Sequence, residues 1–315
     1  MNNKNLITDS KNELKKNYTP RIYLSHGSLY DYQLMPFFNI ASKCGFDGAE
    51  IIVGRNRELS DISFIKFLSK KYNVPVMVLH CPFNSWKNEY WPNKPHEKLM
   101  KTVEMARALE AKVVVAHTAL SGETEYKNWL TDELPAFQEK YPDVRIAIEN
   151  MPRRYVLFGN AGRFIFNFKK IPFRYRRKIT YDIATHTSDK DIFNPVEIDI
   201  LNNSLNGIEH LNKFNYLTID TTHLGTWGCA PGEFADQINT KIAHVHLSNY
   251  KLGIEHRLPN DGMMKFNDFF EKLKGVNYDG GITIECDPNA FRNHRNFDET
   301  RTQLIENMKF IRSCF

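Results

Sequence analysis

The chain has 315 residues, is 42% hydrophobic and 25% charged, and carries a formal net charge of +5 at pH 7. That length can bury a sizeable core in one large domain or two, and the composition is ordinary for a soluble globular protein. The mild positive excess does not by itself imply nucleic acid, no run approaches a membrane span, and five scattered cysteines (Cys44, Cys81, Cys229, Cys286, Cys314) without a Cys-x-x-Cys pair argue against a disulfide framework or a thiolate zinc site.

Residues 1–20 read as a loose polar tail with no apolar core of signal-peptide length. With the unpaired cysteines, this predicts a cytoplasmic protein. Apolar runs then recur along the chain: RIYLS (21–25), GAEIIV (48–53), VPVMVLH (74–80), KVVVAH (112–117), VRIAIE (144–149), YLTID (216–220), KIAHVHL (241–247) and GITIEC (281–286). Most are near-continuous in Val, Ile and Leu rather than alternating, as parallel strands covered on both faces should be.

Stretches with helical spacing lie between them: YQLMPFFNIASKCG, DISFIKFLSKKY, PHEKLMKTVEMARALEA (95–111), KNWLTDELPAFQEKY, FNDFFEKLKGV and ETRTQLIENMKFIRSCF. Pro95 sits near the start of the clearest one, as at the first turn of a helix. Eight alternating units predict an α/β protein with a closed (β/α)8 TIM barrel over 21–315. A doubly wound open sheet is the alternative, but no Gly-x-Gly-x-x-Gly follows the first strand.

One interval breaks the rhythm. The spacing doubles from Met151 to about Asn215, which predicts an insertion after the fifth strand (about 151–215). Its segment GRFIFNFKKIPFRYRRKITYD (162–182) is basic and aromatic. It reads as a lid packing its own rings, or as a surface for phosphate or nucleic acid.

In a parallel barrel the C-terminal strand ends converge on one rim, where catalysis sits. Here those ends carry His80, His117, Glu149, Asp220, His246 and Glu285, with His223 and His256 in following loops. Any one of these could be an ordinary core or capping residue, and Asp220 could simply cap a helix. Together they have little structural reason to exist, because buried carboxylates need partners. A divalent cation would supply the charge, and the nitrogen and oxygen donors suit Mn, Zn, Fe or Co.

At this point the chain resembles the xylose isomerase-like TIM-barrel superfamily, which includes sugar isomerases and epimerases and endonuclease IV-type apurinic-site nucleases. The resemblance runs from about Arg21 to the C-terminus and rests on GFDGAEI, LHCPF, ALEAKVVVAH, IAIEN, IDTTHLG, HVHLSNY, EHRLPNDG and YDGGITIECDP. It implies a core metal site of Glu149, Asp220, His246 and Glu285. It implies further metal or substrate positions at His80, His117, His223 and His256, and a substrate position at Glu50; His244 reads as supporting the site rather than ligating. Three positions depart from the pattern. Ile254 stands where the nucleases have Asp, with Glu255 adjacent; Asn249 stands for Asp and Asn260 for Gly.

Two functions are therefore expected. The first is a divalent-metal-dependent sugar or sugar-phosphate isomerase or epimerase that moves a proton between the catalytic pair Glu149 and Glu285, with one ion. Phe83, Trp86, Trp91 and Trp227, in loops after strand ends, would stack on the sugar or merely pack their loops, and Arg257 would contact substrate. The alternative is an apurinic-site phosphodiesterase with up to three zinc ions, whose insertion contacts DNA. The expected partner is a small carbohydrate, or nucleic acid in the alternative; no membrane is involved, and family habit suggests a homo-oligomer for sugar-acting members.

Overall fold

The computed structural model describes residues 20–87, 89–153, 156–159, 162–165, 203–238 and 241–315. The predicted polar tail up to Thr19 and the basic aromatic segment beyond Ile165 lie outside the described residues.

The described strands are β1 (Arg21–Ser25), β2 (Gly48–Ile52), β3 (Val76–His80), β4 (Val113–His117), β5 (Arg145–Glu149), β6 (Val156–Gly159), β7 (Gly162–Ile165), β8 (Tyr216–Asp220), β9 (Lys241–Leu247), β10 (Asn249–Lys251), β11 (Ile254–Arg257) and β12 (Gly281–Ile284). Eight of them form a closed parallel barrel in the order β1-β12-β9-β8-β5-β4-β3-β2. All eight predicted runs are barrel strands. Their apolar character on both faces follows from this geometry: one face fills the barrel and the other meets helices. Every residue of β2 is buried. Tyr23, Val78, Val113, Val115, Ala147 and Ala243 pack together inside the barrel, apart from the larger core under the helices.

The helices are α1 (Leu34–Cys44), α2 (Ile62–Tyr72), α3 (Pro95–Leu109), α4 (Thr124–Asp132), α5 (Leu134–Lys140), α6 (Ile208–Leu211), α7 (Thr221–Trp227), α8 (Pro231–Gln237), α9 (Asn267–Gly275) and α10 (Phe297–Ser313). The stretch KNWLTDELPAFQEKY, read as one helix, is broken into α4 and α5. Pro135 lies in the first turn of α5, where its missing N–H costs nothing, whereas in a continuous helix its ring would strike the carbonyl one turn back. Among the described residues no helix is long and apolar enough to cross a membrane.

Register sets the height of each side chain. His117 is level with Glu149, and Asp220 with His246. Thr283 is also level with His246. Glu50 lies beside Val78, one pleat below His80, which lies beside Ile52.

The barrel needs help where the chain leaves β5. Only Ile148↔Leu217 and Glu149↔Thr218 join β5 to β8. The Asn150 side chain continues the ladder: its Oδ1 accepts Asp220 N–H at 2.8 Å and its Nδ2 donates to Asp220 O at 3.1 Å. Asn206 treats Met151 the same way, accepting its N–H and donating to its carbonyl, both at 2.8 Å. Beyond β9 the chain forms the antiparallel hairpin β10–β11.

Candidate metal centre

Four strand ends supply the centre. Glu149 ends β5, Asp220 ends β8, His246 lies near the end of β9, and Glu285 follows β12. One donor atom from each lies within 4.8 Å of the other three. His246 Nδ1 is 3.2 Å from Glu149 Oε1 and 3.0 Å from Glu285 Oε2. Burial lowers the basicity of the His246 imidazole, but Glu285, Glu50 and Glu149 around it outweigh burial and raise its pKa well above the ordinary value.

His80 and His117 aim Nε2 at the other oxygen of Glu149, Oε2, at 3.4 and 3.2 Å. These three residues form a second group of possible ligands, and Asp220, His223 and His256 a third. The histidines are turned by their neighbours. His80 Nδ1 donates to the Cys81 carbonyl at 2.7 Å, His223 Nδ1 to Asn150 O at 2.8 Å and His256 Nδ1 to Glu285 O at 3.3 Å. A carbonyl only accepts, so Nδ1 holds the proton and the neutral ring keeps its lone pair at Nε2.

The donors fit a divalent cation. Glu149 Oε2 and Asp220 Oδ2 are buried without a hydrogen-bond partner. Burial pushes the Asp220 carboxyl far above the ordinary range, and Glu149 and Glu285 push it further. Crowded carboxylates and lone-pair nitrogens around oxygens that lack a donor make an arrangement that a cation satisfies.

Phe83, in the loop after β3, stacks on His117 with ring centroids 5.1 Å apart and meets Trp86 edge-on at 4.6 Å. The loop itself is pinned from below. The buried Lys98 ammonium donates to the carbonyls of Phe83, Asn84 and Trp86 at 2.9, 3.0 and 2.5 Å.

Several residues singled out in the sequence have partners of their own. Glu50, expected at the substrate, is fully buried under His246, 3.0 Å from its Nε2 and 2.9 Å from His244 Nε2. The reason is register: Glu50 is two residues short of the end of β2. Trp91 packs into the core against Gly54, whose positive φ of 77° and lack of a side chain admit the indole. Trp227 turns its N–H inward to Met151 O at 2.9 Å and meets Phe234 edge-on. The Arg257 guanidinium pairs with Asp261 inside the loop after β11.

Other contributors were not foreseen. Thr222 Oγ1 donates to Asn249 O at 3.0 Å and accepts His256 N–H at 2.9 Å, fixing a residue whose φ is 54°. The hydroxyl run in IDTTHLG was the available signal. Asn249 explains its own departure from Asp: Nδ2 donates to Pro259 O at 2.8 Å while Oδ1 accepts Tyr250 N–H and Met264 N–H at 2.8 and 3.0 Å. A carboxylate could not donate. Gly262 lets this side chain in, since a Cβ there would lie 2.0 Å from Asn249 Oδ1.

The family model for the xylose isomerase-like TIM barrel matches residues 38–314. The chain belongs to the xylose isomerase-like TIM-barrel family. It is 27% identical over 297 residues to an uncharacterized protein of Mycobacterium leprae, covering 93% of this chain and 97% of that one. Among solved structures, D-allulose 3-epimerase from Methylomonas sp. in complex with D-allulose is 16% identical with a TM-score of 0.57, covering 94% of this chain and 98% of that one. An AP endonuclease, family 2, from Brucella melitensis is 13% identical with a TM-score of 0.58, covering 85% and 93%. At such identities the structures share the family's fold, and the chemistry has to be argued from the rim.

Proposed function

We propose that the protein is a divalent-metal-dependent isomerase or epimerase of a small carbohydrate, moving a proton at carbon between Glu149 and Glu285. The observation that carries this reading is the gathering of Glu149, Asp220, His246 and Glu285 donors within 4.8 Å of one another.

A divalent ion held by these four residues would supply Lewis-acid polarisation of a substrate oxygen next to the reacting carbon. The protein's own groups do the rest. Glu149 and Glu285 flank His246 Nδ1 from different strands, so one carboxylate can take a proton from one face of the carbon while the other returns it to the opposite face. His80 and His117 set their Nε2 atoms beside Glu149 Oε2, on the side where a bound cation would lie between them. Phe83 and Trp86 offer apolar surface to the C–H face of a sugar and keep water from that side.

A second reading, a phosphodiesterase acting on abasic DNA, is favoured by one observation: the His80–His117–Glu149 and Asp220–His223–His256 groups give room for further ions. Ile254 in place of a carboxylate counts against the third of these. Divalent-ion content of protein purified without chelator separates the readings. About one ion per chain fits the isomerase; two or three zinc ions, with incision of an abasic duplex, fit the nuclease.

The direct test is a panel of ketoses and aldoses incubated in D2O. The wild type should place solvent deuterium at the interconverted carbon. Glu285→Gln should abolish both exchange and turnover while the fold persists; an active variant sinks the proton-transfer role.

A further inference from the structure

We infer that Glu50 is a positioning residue for the metal centre: its carboxylate holds His246 with Nε2–H turned down into the barrel, so that Nδ1 presents its lone pair to the rim. The inference rests on the metal-dependent reading of the rim and assigns a task to a residue that reading leaves unused.

Glu50 is 0% exposed and one pleat below His80, too deep to meet a substrate at the rim. Its Oε2 lies 3.0 Å from His246 Nε2 and 2.9 Å from His244 Nε2, and its Oε1 accepts the Ser25 hydroxyl at 3.4 Å. Thr283 Oγ1 sits 2.9 Å from His244 Nε2, bracing that ring in turn. The opposite edge of His246 faces the rim, with Nδ1 between Glu149 Oε1 and Glu285 Oε2.

A neutral imidazole carries one N–H. If His246 put it on Nδ1, it would donate to Glu149 or Glu285 and cease to be a ligand. An acceptor-only carboxylate under Nε2 gives that single proton a partner on the side away from the rim, and second partners of that kind orient ligating histidines in metal sites generally. His246 is thereby set opposite to His80, His223 and His256, whose Nδ1 atoms are committed to backbone carbonyls. A carboxylate buried this deep is costly unless its partners use it.

The test is competition of the full-length protein against a chelator for Zn2+, with wild type and Glu50→Gln compared. We expect the variant to bind about 10–100-fold more weakly, while the thermal midpoint of the chelator-stripped protein moves by no more than a few degrees. Unchanged affinity overturns this inference and leaves the metal reading standing. No ion in either protein overturns both. Loss of a second, separate ion in the variant makes Glu50 a ligand rather than a positioning residue, and overturns it too. Should the variant not fold, histidine nitrogen NMR of the zinc-loaded wild type decides: metal on Nδ1 with a proton on Nε2 of His246 supports the inference, and metal on Nε2 overturns it.

Discussion

Asp220 and His223 are joined by a hydrogen bond that leaves half of the aspartate unused. Asp220 Oδ1 accepts the His223 backbone N–H at 3.1 Å, capping the short helix Thr221–Trp227, while Oδ2 is buried with no hydrogen-bond partner. The imidazole of His223 lies 3.6 Å from that oxygen but gives its Nδ1 proton to Asn150 O. Helix capping and metal ligation, which look like competing explanations of this aspartate in the sequence, would use different oxygens of it.

Two substitutions separate the roles. Asp220→Asn keeps an acceptor for the cap and removes the charge, so metal affinity should drop sharply with little change in the stability of the chelator-stripped protein. Asp220→Ala should lose the ion and also cost about 0.5–2 kcal/mol in the stripped protein, the usual loss for an N-cap. Chelator-treated thermal melts check both. Equal stability of the two stripped variants would show that the cap contributes nothing.

Lys98 should govern the loop that carries Phe83 and Trp86. Burial pushes its ammonium below the ordinary lysine range, yet it satisfies three carbonyls of that loop. Replacing it by Met removes that donor from the Asn84 and Trp86 carbonyls and leaves Phe83 O with only the Trp86 N–H, an expected loss of about 1–3 kcal/mol. Once a substrate is in hand, KM should rise more than kcat falls, because the aromatic surface loosens while Glu149 and Glu285 stay in place. Steady-state kinetics and urea unfolding read the two effects.

Asn249→Asp installs the residue that the family resemblance leads one to expect, and should nevertheless destabilise this chain. The Pro259 carbonyl loses its donor, and the new charge is buried against backbone oxygen. A loss of about 1–3 kcal/mol by urea unfolding is expected. A neutral or stabilising result would mean that the loop can repack around a carboxylate.

At the bottom of the barrel Arg145 grips Asp279 with two bonds, of 2.8 and 2.6 Å. The Arg145 hydrogen bonds outweigh partial burial and hold the Asp279 carboxyl below its ordinary value. A carboxylate with a depressed folded-state pKa stabilises the fold above its unfolded value of about 3.9 and loses that contribution as pH falls through the folded value. The side chain of Asp279 is half exposed, so the contribution is no more than about 1 kcal/mol. Asp279→Asn should melt slightly below the wild type at pH 7, and the gap should close as the pH is lowered towards 3.

The rim was readable because parallel strands place their last residues at one end whatever lies between them, so His80, His117, Glu149 and Asp220 could be read from the ends of their runs. Depth was not readable. Glu50 and His80 are both titratable residues near strand ends, but only register reveals that one sits a pleat below the other. Trp91 and Trp227 stayed open between sugar stacking and loop packing for a related reason: a loop aromatic carries no mark of whether it turns to the rim or to the core. Asn150, Asn206 and Thr222 act through backbone groups far along the chain, and such partnerships leave no periodic trace in sequence.

The paired amide bonds from Asn150 to Asp220 and from Asn206 to Met151 have a corollary. They tie together the departure and return points of the excursion that follows β5, giving the backbone of Met151 and Asp220 fixed partners at that junction. A junction closed by its own paired amide bonds is the place where a change in the length of the excursion should disturb the strands carrying Glu149 and Asp220 least.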